Sequence, residues 1–300
     1  MKNRIIATTL TLALALLSRE SIAQELTGTL KKIHDAGTIT LAFRDAAIPF
    51  SYLADASGVP VGYSQDIQAY VVEALKRDLN LPDLKVKYNL VTSQTRIPLL
   101  QNGTVDLECG STTNNFERQQ QVAFSVGIFE IGTRLLTKKD SSYRELTDLK
   151  GRNVVTTAGT TAERLLRSIN ADQQLAMNII SAKDHGESFQ VLETGRAVAW
   201  LQDDALLAGE RAKARHPDEW VIVGPAQSHE IYGCMVRKDD APFKGAVDDA
   251  IKSMYASGEI NPVFSKWFQH PIPPKGLSLD YAMPDEVKAL YAHPTDKPAP

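Results

Sequence analysis

The chain has 300 residues, of which 43% are hydrophobic and 23% charged, with two cysteines and a net charge of −3 at pH 7. This composition is typical of a globular protein and excludes a disordered chain, a collagen or a coiled coil. The slight acidity argues against a general nucleic-acid-binding surface, so we expect no nucleic-acid partner. The length is sufficient for two domains of ordinary size.

The first residues predict an export signal that is separate from the fold. Lys2 and Arg4 precede an uncharged, mostly apolar run at 5–17, which is shorter than the ~20 residues that a membrane-spanning helix needs. Ser21-Ile22-Ala23 fits a cleavage site before Gln24. We therefore expect residues 1–23 to be a signal peptide and the mature protein to be periplasmic. The alternative is an amphipathic first helix.

Export changes the interpretation of the two cysteines, Cys109 and Cys234. Disulfides persist outside the cytoplasm, and neither a CxxC pattern nor a metal-ligand spacing is present. We expect a Cys109–Cys234 disulfide, with two buried thiols as the alternative, and neither a metal site nor a cofactor.

The rest of the chain alternates predicted strands with predicted helices in two successive cycles. The first cycle has strands at 38–43, 84–90 and 105–109, with helices at 64–80 and 94–101. The second cycle has strands at 153–157, 197–201, 220–223 and 232–236, a short strand at 179–180, a helix after Thr161, a helix at 187–193 and two helices within 243–268. This pattern predicts two doubly wound α/β domains, in which ligands bind at the carboxyl ends of the strands.

The turn after the strand at 105–109 carries groups that suit a carboxylate. Asn115 is predicted to cap a helix in which Arg118 is the third residue, and the Arg118 fork can donate two hydrogen bonds to one carboxylate. Such an arginine can also be a solvated surface charge. The hydroxyls of Ser111 and Thr113 just upstream favour the binding interpretation.

Two further turns have the same character. Thr160 and Glu163 form a predicted capping box, which would point the N–H and hydroxyl of Thr161 at an anion, although a well-capped helix can also bind nothing. Asp203 ends a predicted strand and suits an ammonium group, but it could instead cap the next helix, a role for which Asp204 competes.

Four more residues complete the candidate set. The positively charged or polar side chains in the remaining turns are those of Arg44, Ser93, Arg96 and His185. His185 at a helix start can simply be a first-turn residue. If it were protonated and paired with a ligand carboxylate, affinity would weaken as the pH rises.

Several long segments resemble one known family. Asp148-Leu149-Lys150-Gly151, Gly159-Thr160-Thr161 and Gly195-Arg196-Ala197 are similar to periplasmic solute-binding proteins for polar amino acids, the receptors of ATP-binding-cassette importers. The segments 92–104, 108–115, 181–186 and 203–210 resemble the glutamate/aspartate-binding branch of that family, as does the tail from Pro271. The resemblance extends over residues 30–268.

The resemblance implies a fold of type II, in which two doubly wound lobes are joined by two hinge strands and close on the ligand. We expect the crossings near 129–133 and 230–233, so that residues 24–130 and 231–300 form lobe one and residues 131–230 form lobe two. It further implies a monomer that delivers L-glutamate and L-aspartate to the membrane permease subunits of an ABC importer.

The resemblance also implies a role for each candidate residue. Arg118, Thr113 and Thr161 would hold the α-carboxylate, and Asp203 the α-ammonium group. The side-chain carboxylate would contact Arg44, Ser93, Arg96 and His185, with Ser111 nearby. Three arginines against one aspartate leave two positive charges, which favours a ligand of net charge −1 over a neutral amino acid.

Two other function classes remain as alternatives. An exported enzyme on the same fold, such as a cyclohexadienyl-type dehydratase, would need a general base, for which Glu108 or His185 could serve. We expect no catalytic residues, because the chain has no nucleophile elbow, HExxH motif or phosphate loop. A tethered chemoreceptor domain would need a transmembrane segment after the fold.

Overall fold

The structure, a computed structural model, describes residues 25–298, so the predicted signal peptide lies outside the described residues. The described chain alternates strands with helices. Its strands are β1 Thr38–Phe43, β2 Ala46–Ala47, β3 Ser51–Leu53, β4 Pro60–Val61, β5 Lys85–Leu90, β6 Leu107–Glu108, β7 Val122–Lys138, β8 Asn153–Thr157, β9 Asn178–Ala182, β10 Ala199–Asp203, β11 Trp220–Val223 and β12 His229–Arg237.

The helices pack on the strands and fill the connections between them. They are α1 Gly28–Ala36, α2 Tyr63–Asp78, α3 Arg96–Gln101, α4 Phe116–Gln119, α5 Thr161–Asp172, α6 His185–Glu193, α7 Asp204–Lys213, α8 Ala241–Ala256, α9 Ile260–Phe264 and α10 Asp285–Ala292. Short 3-10 helices lie at Leu146–Leu149 and Pro217–Glu219, and a π-helical turn at Ser265–Gln269. Within residues 25–298, no helix is long and apolar enough to cross a bilayer.

The strands form two sheets that share the long strand β7. In the first sheet the order is β5-β1-β6-β12-β7, with β1 parallel to both of its neighbours and β12 antiparallel to both of its own. In the second sheet the order is β9-β8-β10-β7-β11. The strands β2, β3 and β4 form a separate small antiparallel sheet. The α/β class with two wound sheets is therefore confirmed.

The strand β7 passes from one sheet into the other at residues 132–133. Gly132 is the last β7 residue paired with β12, opposite His229, and the next residue, Thr133, pairs with Asp203 of β10. Because β12 also begins at this junction, two adjacent strands enter the first sheet where the second sheet ends. The carboxyl end of β10 consequently lies beside the point where β7 and β12 connect the two sheets.

A disulfide fixes the centre of the first sheet. Cys109, directly after β6, is bonded to Cys234 of β12, and both residues are fully buried. The predicted disulfide is confirmed, and the alternative of two buried thiols is wrong. Both cysteines lie in the same sheet, so the bond does not connect the two sheets.

Some element predictions were wrong. Leu84, Val86, Tyr88 and Leu90 alternate with polar residues, a pattern that predicts a half-buried strand, but β5 is the edge of the first sheet and Tyr88 is 43% exposed. The strand β10 ends at Asp203 instead of at residue 201, so this carboxylate belongs to the sheet. The helices α1 and α10 and the small sheet of β2, β3 and β4 were not predicted.

Candidate ligand-binding site

The nine candidate residues lie at element ends where the two sheets face each other. Arg44 directly follows β1, Asp203 ends β10, and the rest lie in the connecting turns or the first turns of helices. Several contacts join the sides; among them, Thr113 Oγ1 is 3.4 Å from Thr161 Oγ1, and Arg118 Nη2 donates to Gly159 O at 3.4 Å. The expected gathering of turns from both sheets is therefore present.

Arg118 is held rigidly beneath the loop that follows β6. The Asn115 side chain caps α4 by accepting from the Arg118 N–H at 2.9 Å, and Arg118 Nη1 donates to Thr113 O at 2.8 Å. Only 3% of Arg118 is exposed, so the solvated-charge interpretation is wrong. Burial, followed by the nearby Arg96 charge, lowers the pKa of Arg118 to about 9, so it remains cationic at neutral pH.

The helix that begins at Thr161 is capped by Thr160, and the Thr161 hydroxyl forms a hydrogen bond with Glu230. Thr160 Oγ1 accepts from the Glu163 N–H at 3.1 Å, while the Glu163 carboxylate accepts from the Gly159 N–H rather than from that of Thr160. The Thr161 hydroxyl donates to Glu230 Oε2 at 2.7 Å. This hydrogen bond lies within the protein, so the contact of the Thr161 N–H and hydroxyl with an anion stays a prediction.

Asp203 lies where β7, β10 and β12 meet. Its carboxylate accepts hydrogen bonds from the hydroxyls of Tyr232 and Thr133. Asp203 occupies the N-cap position of α7, but its side chain makes no capping hydrogen bond, and Asp204 is the first residue of that helix. Burial, followed by repulsion from the Glu230 carboxylate, raises the pKa of Asp203 to about 8. An ammonium ligand placed here would stabilise the ionised carboxylate.

The guanidinium group of Arg44 is buried and has no hydrogen-bond acceptor within residues 25–298. Its backbone N–H donates to Ser51 Oγ at 2.8 Å, whereas none of its three guanidinium nitrogens has a hydrogen-bond partner among residues 25–298. Only 1% of the residue is exposed. Burial, followed by repulsion from Arg96, lowers the pKa of Arg44 to about 10, so its charge persists at neutral pH.

Arg96 is partly satisfied by the loop it lies under. Its Nη1 donates to Ser111 O at 3.1 Å and contacts Thr112 Oγ1, while its Nε has no partner in the described chain. The hydroxyls of Ser93 and Ser111 are likewise buried without a partner among the described residues. Together with Arg44, these groups are buried donors without acceptors, which an acidic group could supply.

His185 is also buried and lies near Arg44 and Arg96. Its Nδ1 lies 2.9 Å from Thr157 Oγ1, and its Nε2 has no partner within residues 25–298. Burial, followed by the charges of Arg44 and Arg96, lowers the pKa of His185 well below 6.5. The ring is therefore neutral near pH 7, and the protonated pairing considered from the sequence is not favoured.

Two neighbouring groups, Glu230 and Tyr232, were missed in the sequence analysis, and Glu108 was considered there only as a possible general base. Glu108 is 1% exposed and accepts from Thr112 Oγ1 at 2.8 Å. Glu108 lies near Arg44 and Arg96, and Glu230 near Arg118, so these two carboxylates reduce the predicted surplus of positive charge. The two ends still differ, because the donors of Arg44, Ser93 and Ser111 have no partner within residues 25–298, whereas the carboxylates of Asp203 and Glu230 accept hydrogen bonds from hydroxyls.

Comparisons with known proteins identify the family of this chain. Residues 39–270 match the bacterial extracellular solute-binding proteins, family 3. An L-glutamate/L-aspartate-binding protein of Pseudomonas aeruginosa is 68% identical over 95% of this chain and 94% of its own length. A glutamate/aspartate import solute-binding protein of Salmonella typhimurium is 57% identical over 90% of this chain and 89% of its own length.

The likeness extends to solved structures of two-lobed binding proteins. A mutant of ArgBP from T. maritima superposes with a TM-score of 0.70 at 26% identity, covering 81% of this chain and 100% of that one. The family match covers most of the described residues and includes all nine candidate residues. The chain belongs to the bacterial extracellular solute-binding proteins, family 3.

Proposed function

We propose that this protein is the periplasmic substrate-binding component of an ABC transporter and that it captures the acidic amino acids L-glutamate and L-aspartate. The names of the two relatives support both the transport role and the ligand class. The observation that carries the proposal is the buried Arg44 guanidinium, whose three nitrogens lack partners within residues 25–298. A neutral side chain would leave that charge unpaired, at a cost of several kcal/mol.

The ligand is proposed to lie between the two ends of the site. Its side-chain carboxylate accepts hydrogen bonds from Arg44, Arg96, Ser93 and His185, with Ser111 close by. The α-carboxylate pairs with the Arg118 fork, and the α-ammonium group pairs with Asp203. Thr113 and Thr161, whose hydroxyl oxygens lie 3.4 Å apart, contact the α-carboxylate beside Arg118.

The binding motion follows from this placement. We assign residues 24–130 and 231–300 to lobe one and residues 131–230 to lobe two, with β7 and β12 as hinge strands. Because Arg118 and Asp203 then lie on different lobes, a ligand touches both only when the lobes are closed. Differential affinity therefore favours the closed state, which the membrane permease subunits would recognise.

We propose binding without turnover, by a monomer that needs no cofactor. The relatives are named as binding and import proteins, which disfavours the alternative of a cyclohexadienyl-type dehydratase. The suggested base Glu108 is already engaged by the Thr112 hydroxyl. Through Thr112, the Glu108 carboxylate positions Arg96, and we assign it this role rather than that of a base that takes a proton from a substrate.

A thermal-shift panel of the twenty amino acids tests this function after refolding has removed any co-purified ligand. L-glutamate and L-aspartate should raise the melting temperature most, and the increase should grow with the logarithm of ligand concentration. Incubation followed by chromatography should return the ligand unchanged. Equal shifts from neutral amino acids would contradict the ligand class, and consumption of the ligand would contradict binding without turnover.

A further inference from the structure

Helix α7 contains a glycine, Gly209, that lets a distant segment of the chain approach its backbone closely. A Cβ atom placed on Gly209 would lie 2.2 Å from the carbonyl oxygen of Ile48 and 3.0 Å from the Cβ atom of Ile48. Nonbonded heavy atoms in contact are normally ~3.5–4.0 Å apart, so the added Cβ atom would overlap the Ile48 backbone. A side chain at position 209 is therefore incompatible with the observed distance between α7 and Ile48.

The helix itself gives no reason for this glycine, and the Ile48 turn has no room to retreat. Gly209 is buried within α7 and its φ is not positive, while glycine in a helix interior is less stable than alanine. Next to Ile48, the Phe50 N–H donates to Ala47 O at 2.8 Å, and the Ser64 N–H donates to Phe50 O at 2.9 Å. Because these hydrogen bonds fix the turn, only a movement of α7 as a whole would relieve the overlap.

The close contact joins the two proposed lobes. Ile48 lies between β2 and β3 in lobe one, whereas Gly209 lies in lobe two. Ala205 and Leu206 of the same helix belong to the buried apolar cluster that contains Ile48, and Ala212 packs against that cluster. One face of α7 is therefore buried against lobe one, and Gly209 is the position on it where the two backbones come closest to overlap.

We propose that Gly209 is a positioning residue for lobe closure, because its missing side chain admits the Ile48 carbonyl group when α7 docks on lobe one. The inference rests on the proposed function and extends it to a residue outside the nine candidates. A side chain at position 209 would stop the lobes before the ligand is fully enclosed. The open protein, in which α7 has moved away from Ile48, would tolerate the same side chain.

The first test is Gly209→Ala, which adds only the Cβ atom. The ligand-free variant should melt at the wild-type temperature or above it, because alanine favours the helix and the contact is open. The L-glutamate dissociation constant, measured by calorimetry, should rise at least tenfold, since fewer molecules reach the closed state. In small-angle X-ray scattering, saturating L-glutamate should reduce the radius of gyration of the variant less than that of the wild-type protein.

Gly245→Ala is the matched control, because Gly245 lies inside helix α8 and an added Cβ atom there would have no heavy atom within 4 Å outside its own helix and chain neighbours. It should also preserve or raise the ligand-free melting temperature, but it should leave the L-glutamate affinity and the compaction unchanged. Wild-type affinity in Gly209→Ala would overturn the inference. A lowered ligand-free melting temperature in Gly209→Ala would overturn it as well, since the contact would then exist without ligand.

A disulfide reporter gives an answer even if Gly209→Ala does not fold. A Cβ atom on Gly186 of α6 would lie 3.5 Å from the Cβ atom of Ala46 in β2, a separation that a disulfide permits. In Ala46→Cys/Gly186→Cys, L-glutamate should accelerate disulfide formation, at a concentration that saturates the reduced variant. An unchanged rate would overturn the inference, because this face would then be closed without ligand. Failure of the wild-type protein to bind L-glutamate would instead refute the proposed function.

Discussion

The two ends of the site differ in how their buried polar groups are hydrogen-bonded. The arginine end, formed by Arg44, Ser93, Arg96, Ser111 and His185, contains donors that have no partner among the described residues. At the acidic end, formed by Thr113, Thr161, Asp203, Glu230 and Tyr232, the carboxylates accept hydrogen bonds from neighbouring hydroxyls. The first end therefore has buried donors available to a ligand, whereas the carboxylates of the second end already form hydrogen bonds within the protein.

This difference predicts that substitutions at the two ends change stability and affinity in distinct ways. Removing an unpaired buried charge should increase the free energy of unfolding of the ligand-free protein and weaken its affinity for the ligand. Removing a bonded carboxylate breaks existing contacts, and its effect depends on pH because the pKa of Asp203 is raised to about 8.

The largest expected effect is that of Arg44→Met, which keeps volume but removes the buried charge. The L-glutamate dissociation constant should rise by about 100-fold or more, because a ligand carboxylate would lose its partner in a buried site. The free energy of unfolding of the ligand-free protein should increase by about 1–3 kcal/mol, since an unsatisfied guanidinium is gone. Calorimetry and urea unfolding measure the two quantities.

Arg152→Met is the matched control, because Arg152 is exposed on a turn outside the site. It should change neither quantity. Unchanged L-glutamate affinity in Arg44→Met would remove Arg44 from the site. Arg96→Ala is a less suitable test, because Arg96 also donates to Ser111 O and its loss should destabilise the ligand-free loop.

A smaller effect is expected from pH at the acidic end. Below pH 8 the ligand-free protein holds Asp203 mostly protonated, whereas an ammonium ligand needs the ionised form, so binding releases a proton. L-glutamate affinity should strengthen as pH rises from 6 to 8, by at most about tenfold per pH unit. In Asp203→Asn, affinity should be weak and lack this dependence.

The same pKa fixes the sign of a stability effect. A carboxyl whose pKa is raised in the folded protein contributes stability below its unfolded pKa, and this contribution is lost as pH rises towards 8. Asp203→Asn should therefore raise the ligand-free melting temperature more at pH 8 than at pH 5. A gain that is equal at both pH values would show that Asp203 is already ionised in the free protein.

Local sequence patterns were sufficient for much of the fold. The strands Thr38–Phe43, Asn153–Thr157 and Trp220–Val223 were predicted with their observed bounds, because short apolar runs ended at polar or glycine-containing turns. The helix caps at Asn115 and Thr160 were also predicted, since capping depends on residues only a few positions apart. Edge position is different: β5 alternates like a half-buried strand, yet its burial depends on neighbours distant in sequence.

The same limit explains what was missed at the site. The turns carrying Arg44, Arg118 and Asp203 could be found from strand ends and helix starts. Glu230 and Tyr232 lie inside the hinge strand β12, and only the pairing of that strand with β7 brings their side chains to the site. No periodicity in the sequence specifies that register, so neither the acceptor role of Glu230 nor the neutral state of His185 was predicted.

The most direct test of the charge separation compares L-glutamate with L-glutamine, which have nearly the same shape, by calorimetry on the wild-type protein at pH 8. The unused donors around Arg44 predict that L-glutamate binds at least 100-fold more tightly. Equal affinities for the two amino acids would contradict the account, because the arginine end would then have no need of a negative charge.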